Sequence, residues 1–222
     1  MKISSWVFAF CAVPAHALEA VILSTESRDT NIAKAEGMRD ATGADRVLML
    51  DLPSIYSFVS TPAEGDVPRL VRLPPNLGAI AKESGWRMTH QLEQETEVAV
   101  WVRADQTEPL STIVSTSKYT YSYDVANLLS GPGIARVETD SLGACMREVF
   151  LRENAGCSTA NRFARRYADS FDVELKQYSE SISLGPVGLY LSRAVDAATE
   201  ARLRGTVIEY PGASRLVPLS TD

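Results

Sequence analysis

Histidine is almost missing from this sequence, with two in 222 residues, His16 and His90. Any Ser-His-Asp arrangement outside the N-terminal segment would have to use His90, and no Gly-x-Ser-x-Gly elbow accompanies it. Neither a phosphate-cradling Gly-x-x-x-x-Gly-Lys nor a dinucleotide Gly-x-Gly-x-x-Gly is present. Catalysis therefore has thin support, and no cofactor or metal is expected. Basic residues are outnumbered, 22 against 28 acidic, and the formal charge of −6 argues against broad attraction to nucleic acid or anionic lipid. The 13 Gly and 11 Pro follow no short period, which excludes collagen-like and low-complexity chains, and no solenoid repeat is found. No apolar run is long enough to span a bilayer. What remains, 45% hydrophobic and 23% charged, is the composition of an ordinary globular protein of one or two lobes.

The N-terminal segment has a different character. Lys2 supplies a positive start, Ile3 to Val13 is a short apolar run, and Ala15-His16-Ala17 is a small-x-small cleavage signature. This pattern predicts a signal peptide over residues 1–17, cut after Ala17, and a mature protein that is exported to the periplasm with no membrane insertion. Cys11 lies inside the leader, so two cysteines remain, Cys145 and Cys157. A pair in an oxidising compartment suggests a disulfide, and two separate buried thiols are the alternative.

Along the rest of the chain, short apolar runs alternate with helical spacing. Strands are expected at Ala20 to Leu23, Arg46 to Leu50, Glu93 to Arg103, Thr116 to Tyr123, Ile134 to Thr139, Ala155 to Thr159, Val173 to Tyr178 and Val187 to Leu191. Helices are expected at Arg28 to Thr42, Leu77 to Ser84, Asp124 to Ser130, Ser141 to Asn154, Asn161 to Phe171 and from Asp196 to about Ile208. The Pro-rich stretch Thr61 to Pro75 reads as loop or edge, and Gly185-Pro186 as a break. The alternation predicts an α/β fold with mostly parallel sheets and right-handed crossovers. Glu93, Glu95 and Glu97 share a face that reads as a solvated edge, and His90, beside a polar run, is expected on the surface.

From Ile134 through Ala160 (IARVETDSLGACMREVFLRENAGCSTA), then VELKQYSESIS, then GPVGLYLSRAVDAATEARLRG, the chain resembles the closing half of a type 2 periplasmic solute-binding protein. It is most similar to the phosphate, phosphite and phosphonate group, over roughly Val98 to Tyr210. The resemblance implies a two-lobed α/β fold with a discontinuous first lobe, residues 18–103 with 186–222, and a second lobe of residues 104–185. It also implies a monomer that captures a small solute between the lobes and delivers it to an ABC permease. A ligand-binding module that feeds a membrane sensor is one alternative, and a small periplasmic hydrolase using His90 is another.

In open α/β sheets, ligands bind beyond the carboxyl ends of the strands, where helix N-termini offer free N–H groups. The hydroxyls at such positions are Ser24 and Thr25, Ser54 with Tyr56, Ser122 with Tyr123, Thr139 with Ser141, and Ser158 with Thr159. Tyr119, Tyr121 and Tyr123 recur at period two and would line one face of a strand, either against a planar ligand or under a helix.

Overall fold

The computed structural model describes residues 17–24, 28–62, 67–210 and 214–220. Thr25 and the predicted leader, apart from Ala17, lie outside these residues.

Two copies of one three-stranded unit organise the chain. In the first, β1 (Glu19–Leu23) lies between β2 (Arg46–Leu50) and β3 (Arg69–Leu73), all parallel. Helix α1 (Arg28–Thr42) connects β1 to β2, α2 (Leu52–Ser60) connects β2 to β3, and α3 (Pro75–Glu83) follows β3. In the second, β5 (Thr112–Thr116) lies between β6 (Ala135–Thr139) and β7 (Ala155–Ala160), again all parallel. Here α4 (Tyr121–Leu129) and α5 (Leu142–Leu151) are the crossovers, and α6 (Asn161–Phe171) follows β7. The strand orders β2-β1-β3 and β6-β5-β7 are therefore the same topology used twice.

Two long strands, β4 (Arg87–Arg103) and β9 (Ile182–Leu191), run antiparallel and join the units, so the order across the sheet is β2-β1-β3-β9-β4-β7-β5-β6. Short β8 (Leu175–Gln177) pairs with the C-terminal end of β4. After β9 come α7 (Ala197–Arg204), β10 (Ile208–Tyr210) and β11 (Ser214–Pro218), and β11 pairs with β4 at His90 to Leu92. The β4–β9 pairing shifts register three times between Met88 and Glu97. Gly185, at φ +86°, and Pro186 lie in this irregular stretch, opposite Glu95. β9 runs through them unbroken, which corrects the expected break, and glycine takes that φ at little cost.

Alternation along the strands builds a core on each sheet face. Ala20 and Ile22 of β1 pack with Met38 of α1 and Leu203 of α7, whereas Val21 points the other way onto Ile55 of α2 and Leu77 of α3. In the second unit, Val114 and Cys157 meet Met146 and Val149 of α5, and Ile113 meets Ala126 of α4. Side-chain caps fix the helix starts, with Asp51 accepting from Ser54 N, Ser141 from Ala144 N and Asp196 from Thr199 N.

Four further sequence expectations are corrected. Residues 69–73 form β3, a buried strand between β1 and β9 framed by Pro68 and Pro74, inside the stretch read as loop or edge. The final helix stops at Arg204, closed by Gly205, and Ile208 begins a strand. The strand expected over Thr116 to Tyr123 ends at Thr116: Tyr119 takes φ +76°, Thr120 caps, and Tyr121 and Tyr123 lie in the first turn of α4. No tyrosine ladder forms.

His90 is fully buried, not exposed. Its Nε2 lies 3.0 Å from the carbonyl oxygens of both Leu203 and Thr206, so that nitrogen carries the proton, and Nδ1 accepts from the Thr89 hydroxyl at 3.0 Å. The imidazole thus closes the C-terminal end of α7. Burial holds its pKa below the usual 6.5, against the upward pull of the two carbonyls, with nearby Arg204 adding to the depression. Because the folded value lies below the unfolded one, this contribution is complete above pH 6.5 and is lost as pH falls through the folded value. Stability should therefore decline from pH 6.5 towards the carboxylate range, and His90→Gln, which keeps a donor, should flatten that slope in denaturant titrations. An identical slope in the variant would remove His90 as its source.

Candidate functional site

The carboxyl ends of the two parallel units meet. Asp51 and Pro53 start α2, and one turn later Tyr56 projects half-buried from it. Across from it, the loop between β5 and α4 carries Tyr119, and the two rings stack at 4.0 Å between centroids with an interplanar angle of 26°. The left-handed backbone at Tyr119 aims the ring into the first unit's core, where it packs with residues of α2 and α3. Asn76, in the first turn of α3, completes the contact: its Nδ2 donates to the Tyr119 carbonyl at 2.9 Å and to Asp124 Oδ2 at 3.3 Å. Desolvation raises the Asp124 pKa, and the Asn76 hydrogen bond partly offsets it. Lys118 lies 5.3 Å from the Tyr119 ring centroid, a cation over an aromatic face.

Hydroxyls hold the loop behind this contact. Thr120 Oγ1 caps α4 by accepting from Tyr123 N, donates to the Ser117 carbonyl at 2.9 Å, and lies 2.8 Å from Thr116 Oγ1. Ser122, fully buried, accepts from Thr116 N and donates to the Ser158 carbonyl, tying α4 to both β5 and β7. Beside it the hydroxyls of Ser158 and Thr159, both fully buried, have no hydrogen-bond partner, and neither do Thr96 Oγ1 and Asn76 Oδ1. Buried polar atoms are ordinarily satisfied, so each of these four is unusual.

Of the sequence-predicted positions, the structure brings Tyr56 to the opposing unit and gathers Ser122, Ser158 and Thr159 at the ends of β5 and β7. Tyr121 and Tyr123 sit in the same turn of α4, and Arg136 lies 5.8 Å from the Tyr123 ring centroid. Thr139 donates to the Ser115 carbonyl at 3.0 Å, and Ser141 is spent as the cap of α5. Ser141 also lines an open groove of about 310 Å³ between α5 and α6, with Arg147, Phe163, Arg166 and Tyr167, none of which belongs to the Tyr56–Tyr119 contact. Ser24 is exposed, its Oγ accepting from Asn31 Nδ2 at 3.1 Å, and the backbone N–H of exposed Ser54 is taken by Asp51. Glu93, Glu95 and Glu97 are exposed on β4, as expected. Glu95 accepts from the Ser183 hydroxyl and Glu97 from Asn161 Nδ2 at 3.2 Å, so both tie β4 to neighbouring elements. Asn76 escaped sequence reasoning, since its only local signal is a place after Pro74-Pro75 at a helix start.

Cys145 and Cys157 form a disulfide, with Cα atoms 5.6 Å apart, between α5 and β7. It fastens the helix that starts beyond β6 to the strand carrying Ser158 and Thr159.

This arrangement, two equivalent α/β units joined by two long strands and facing each other across their carboxyl edges, has counterparts among solved structures. A binding protein component of an ABC phosphonate transporter from Pseudomonas aeruginosa superposes with a TM-score of 0.62 at 11% identity, over 86% of this chain and 73% of that one. The chain has the type 2 periplasmic-binding-protein fold. A Xanthomonas citri protein bound to ATP matches with a TM-score of 0.58 at 14% identity, over 85% and 82% of the two chains. An arginine-bound arginine-binding protein (Gly52Ala mutant) from T. maritima matches at 0.54 and 12%, over 85% and 93%. No protein-family model and no curated sequence matches the chain. Among the described residues, no helix of this two-lobed protein is long and apolar enough to cross a membrane.

Proposed function

We propose that the protein is an exported solute-binding protein that takes a small ligand between two lobes, residues 18–103 with 186–222 and residues 104–185. The observation that carries this reading is the contact across the carboxyl edges: Tyr119 stacked on Tyr56 and held by Asn76. Such a contact, made by side chains more than 40 positions apart in the sequence, favours a closed arrangement. The register-shifted stretch of β4 and β9 near Gly185 is the natural hinge, because few backbone positions there must change. The unpartnered polar atoms of Asn76, Ser158 and Thr159 supply hydrogen-bonding capacity to a ligand, and the N-terminal end of α4 favours anionic groups. Proteins with this fold include a component of a phosphonate transporter, a protein bound to ATP and an arginine-binding protein, so the fold alone does not name the solute. Delivery to an ABC permease is the role we favour. His90, buried and bound to α7, serves the fold, which speaks against the hydrolase alternative.

The test is thermal unfolding of the mature, oxidised protein against inorganic and organic phosphates, phosphonates, amino acids, amines and sugars. A ligand bound only by the native state stabilises by RT ln(1 + [L]/Kd), about 2.7 kcal/mol at one hundred times Kd. At least one class should raise the midpoint with increasing concentration, and Asn76→Ala should lower that response about tenfold in apparent affinity, the worth of roughly one hydrogen bond. A flat response to every class would contradict the solute-binding reading.

A further inference from the structure

The residue just before β1 is held firmly by its backbone. Leu18 is buried in the core formed with α1, its backbone nitrogen donates to Asp45 Oδ2 at 2.7 Å, and its carbonyl accepts from Asp45 N at 2.9 Å. Ala17, one residue earlier, is exposed. Asp45, just before β2, therefore grips Leu18 from both sides of its backbone.

We infer that Asp45 is a receiving site for a newly made N-terminus: the α-ammonium of Leu18, released by cleavage of the Ala17–Leu18 bond, forms an ion pair with the Asp45 carboxylate. The inference rests on the export reading above. The step is hydrolysis of one amide by one water, catalysed by a leader-removing peptidase. The carbonyl carbon of Ala17 takes the oxygen and leaves as a carboxylate, and the nitrogen of Leu18 gains the protons and becomes an ammonium. An amide N–H already 2.7 Å from a carboxylate oxygen becomes a charged donor in place, so the hydrogen bond turns into a charge-assisted one. Cleavage one bond earlier would leave this nitrogen an amide. Cleavage one bond later would remove a core side chain.

The surrounding charges agree with this assignment. Glu19, buried beside Leu18, is already paired with Arg46 of β2 and with Arg69 of β3 at 3.0 Å. Burial would raise its pKa, but the hydrogen bonds from Arg69 and Arg46 outweigh that and hold it below its usual value. Arg202 of α7 bonds the Thr42 carbonyl at 2.7 Å, on the same turn as Asp45. Glu19 is thus occupied, and Asp45 is the carboxylate left for the ammonium. Because Asp45 is exposed, the effect is modest and salt-sensitive.

The experiment expresses the full-length gene with export, purifies the folded product and reads its N-terminus by intact mass. The Leu18 α-amino group is then titrated by its acetylation rate against pH, in the native protein and in Asp45→Asn. We expect Leu18 as the first residue and a pKa above the ordinary ~7.7–8.0 range that falls by roughly half a unit in the variant. High salt should move the native value towards that of Asp45→Asn, which keeps the result readable if the variant folds poorly. A product that keeps its leader would overturn the export reading and the inference with it, and cleavage at a different bond would overturn the inference alone. A Leu18 terminus with the same pKa in both proteins and no salt response would overturn the inference alone.

Discussion

Removal of the Cys145–Cys157 bridge is expected to cost the oxidised protein about 3 kcal/mol, the chain-entropy value for a closed loop of about a dozen residues. The two sulfurs are 12 positions apart and fully buried, in a cluster with Val114, Met146 and Val149. They join α5, whose start lies beyond β6, to β7, whose end carries Ser158 and Thr159. Reduction frees the α5–β7 connection in the unfolded chain and leaves two thiols in the same packed volume. For a chain of this size the midpoint should fall by roughly 6–12 °C, taking about 2–4 °C per kcal/mol. Denaturant unfolding with and without reductant, and of the Cys145→Ala/Cys157→Ala double variant, measures it. Equal midpoints would mean that the bridge constrains nothing the packing does not already fix.

A comparable loss is expected from one added methyl group at Gly78. A Cβ there would lie 2.1 Å from the Tyr190 Oη and 2.8 Å from its Cζ, inside any allowed contact. Tyr190 is itself buried on β9, in the core beneath α3, and an aromatic ring cannot fold aside as a lysine would. Gly78→Ala must therefore lift α3 from the sheet or expel the tyrosine, and overpacking of this kind costs about 1–3 kcal/mol. The consequence for function is sharper, because α3 carries Asn76 two residues earlier. Displacing the helix should loosen the Asn76–Tyr119 hydrogen bond, so the stabilising response to solute should shrink along with the melting point. Tyr190→Phe in the Gly78→Ala background should restore part of both, since it removes the atom nearest the added methyl. If Gly78→Ala lowered the midpoint and left the solute response untouched, the position of Asn76 would not matter to binding.

Much of the fold was legible because the local signals were strong. Arg28–Thr42, Arg46–Leu50 and Asn161–Phe171 run where periodicity places them, and Ser141 and Asp196 mark helix starts through short-range capping bonds, whereas the helix that Asp51 caps was not expected. Where the reading failed, a distant partner decided the outcome. The tyrosines at 119, 121 and 123 suit a strand by spacing, but the turn at Tyr119 is held by Tyr56 and Asn76 from the other unit. His90 has polar neighbours in sequence, and only the carbonyls of Leu203 and Thr206, more than 110 positions away, explain why it is buried. The strand at 69–73 was hidden by the prolines that frame it, and its parallel pairing to β1 is a long-range property. The candidate site shares this limit: hydroxyls at strand ends could be named from sequence, but not which of them face a second lobe.

If Tyr119 and Asn76 hold two lobes together across a ligand cleft, the distance between the lobes must depend on them. Spin labels at exposed Met49 of β2 and Leu128 of α4 report the separation of the two parallel units by pulsed electron resonance. A broadened, longer distance is expected in Tyr119→Ala/Asn76→Ala, and a narrow, short one in the unsubstituted protein with the solute that stabilises it. One unchanged distance in both proteins, with and without that solute, would contradict it.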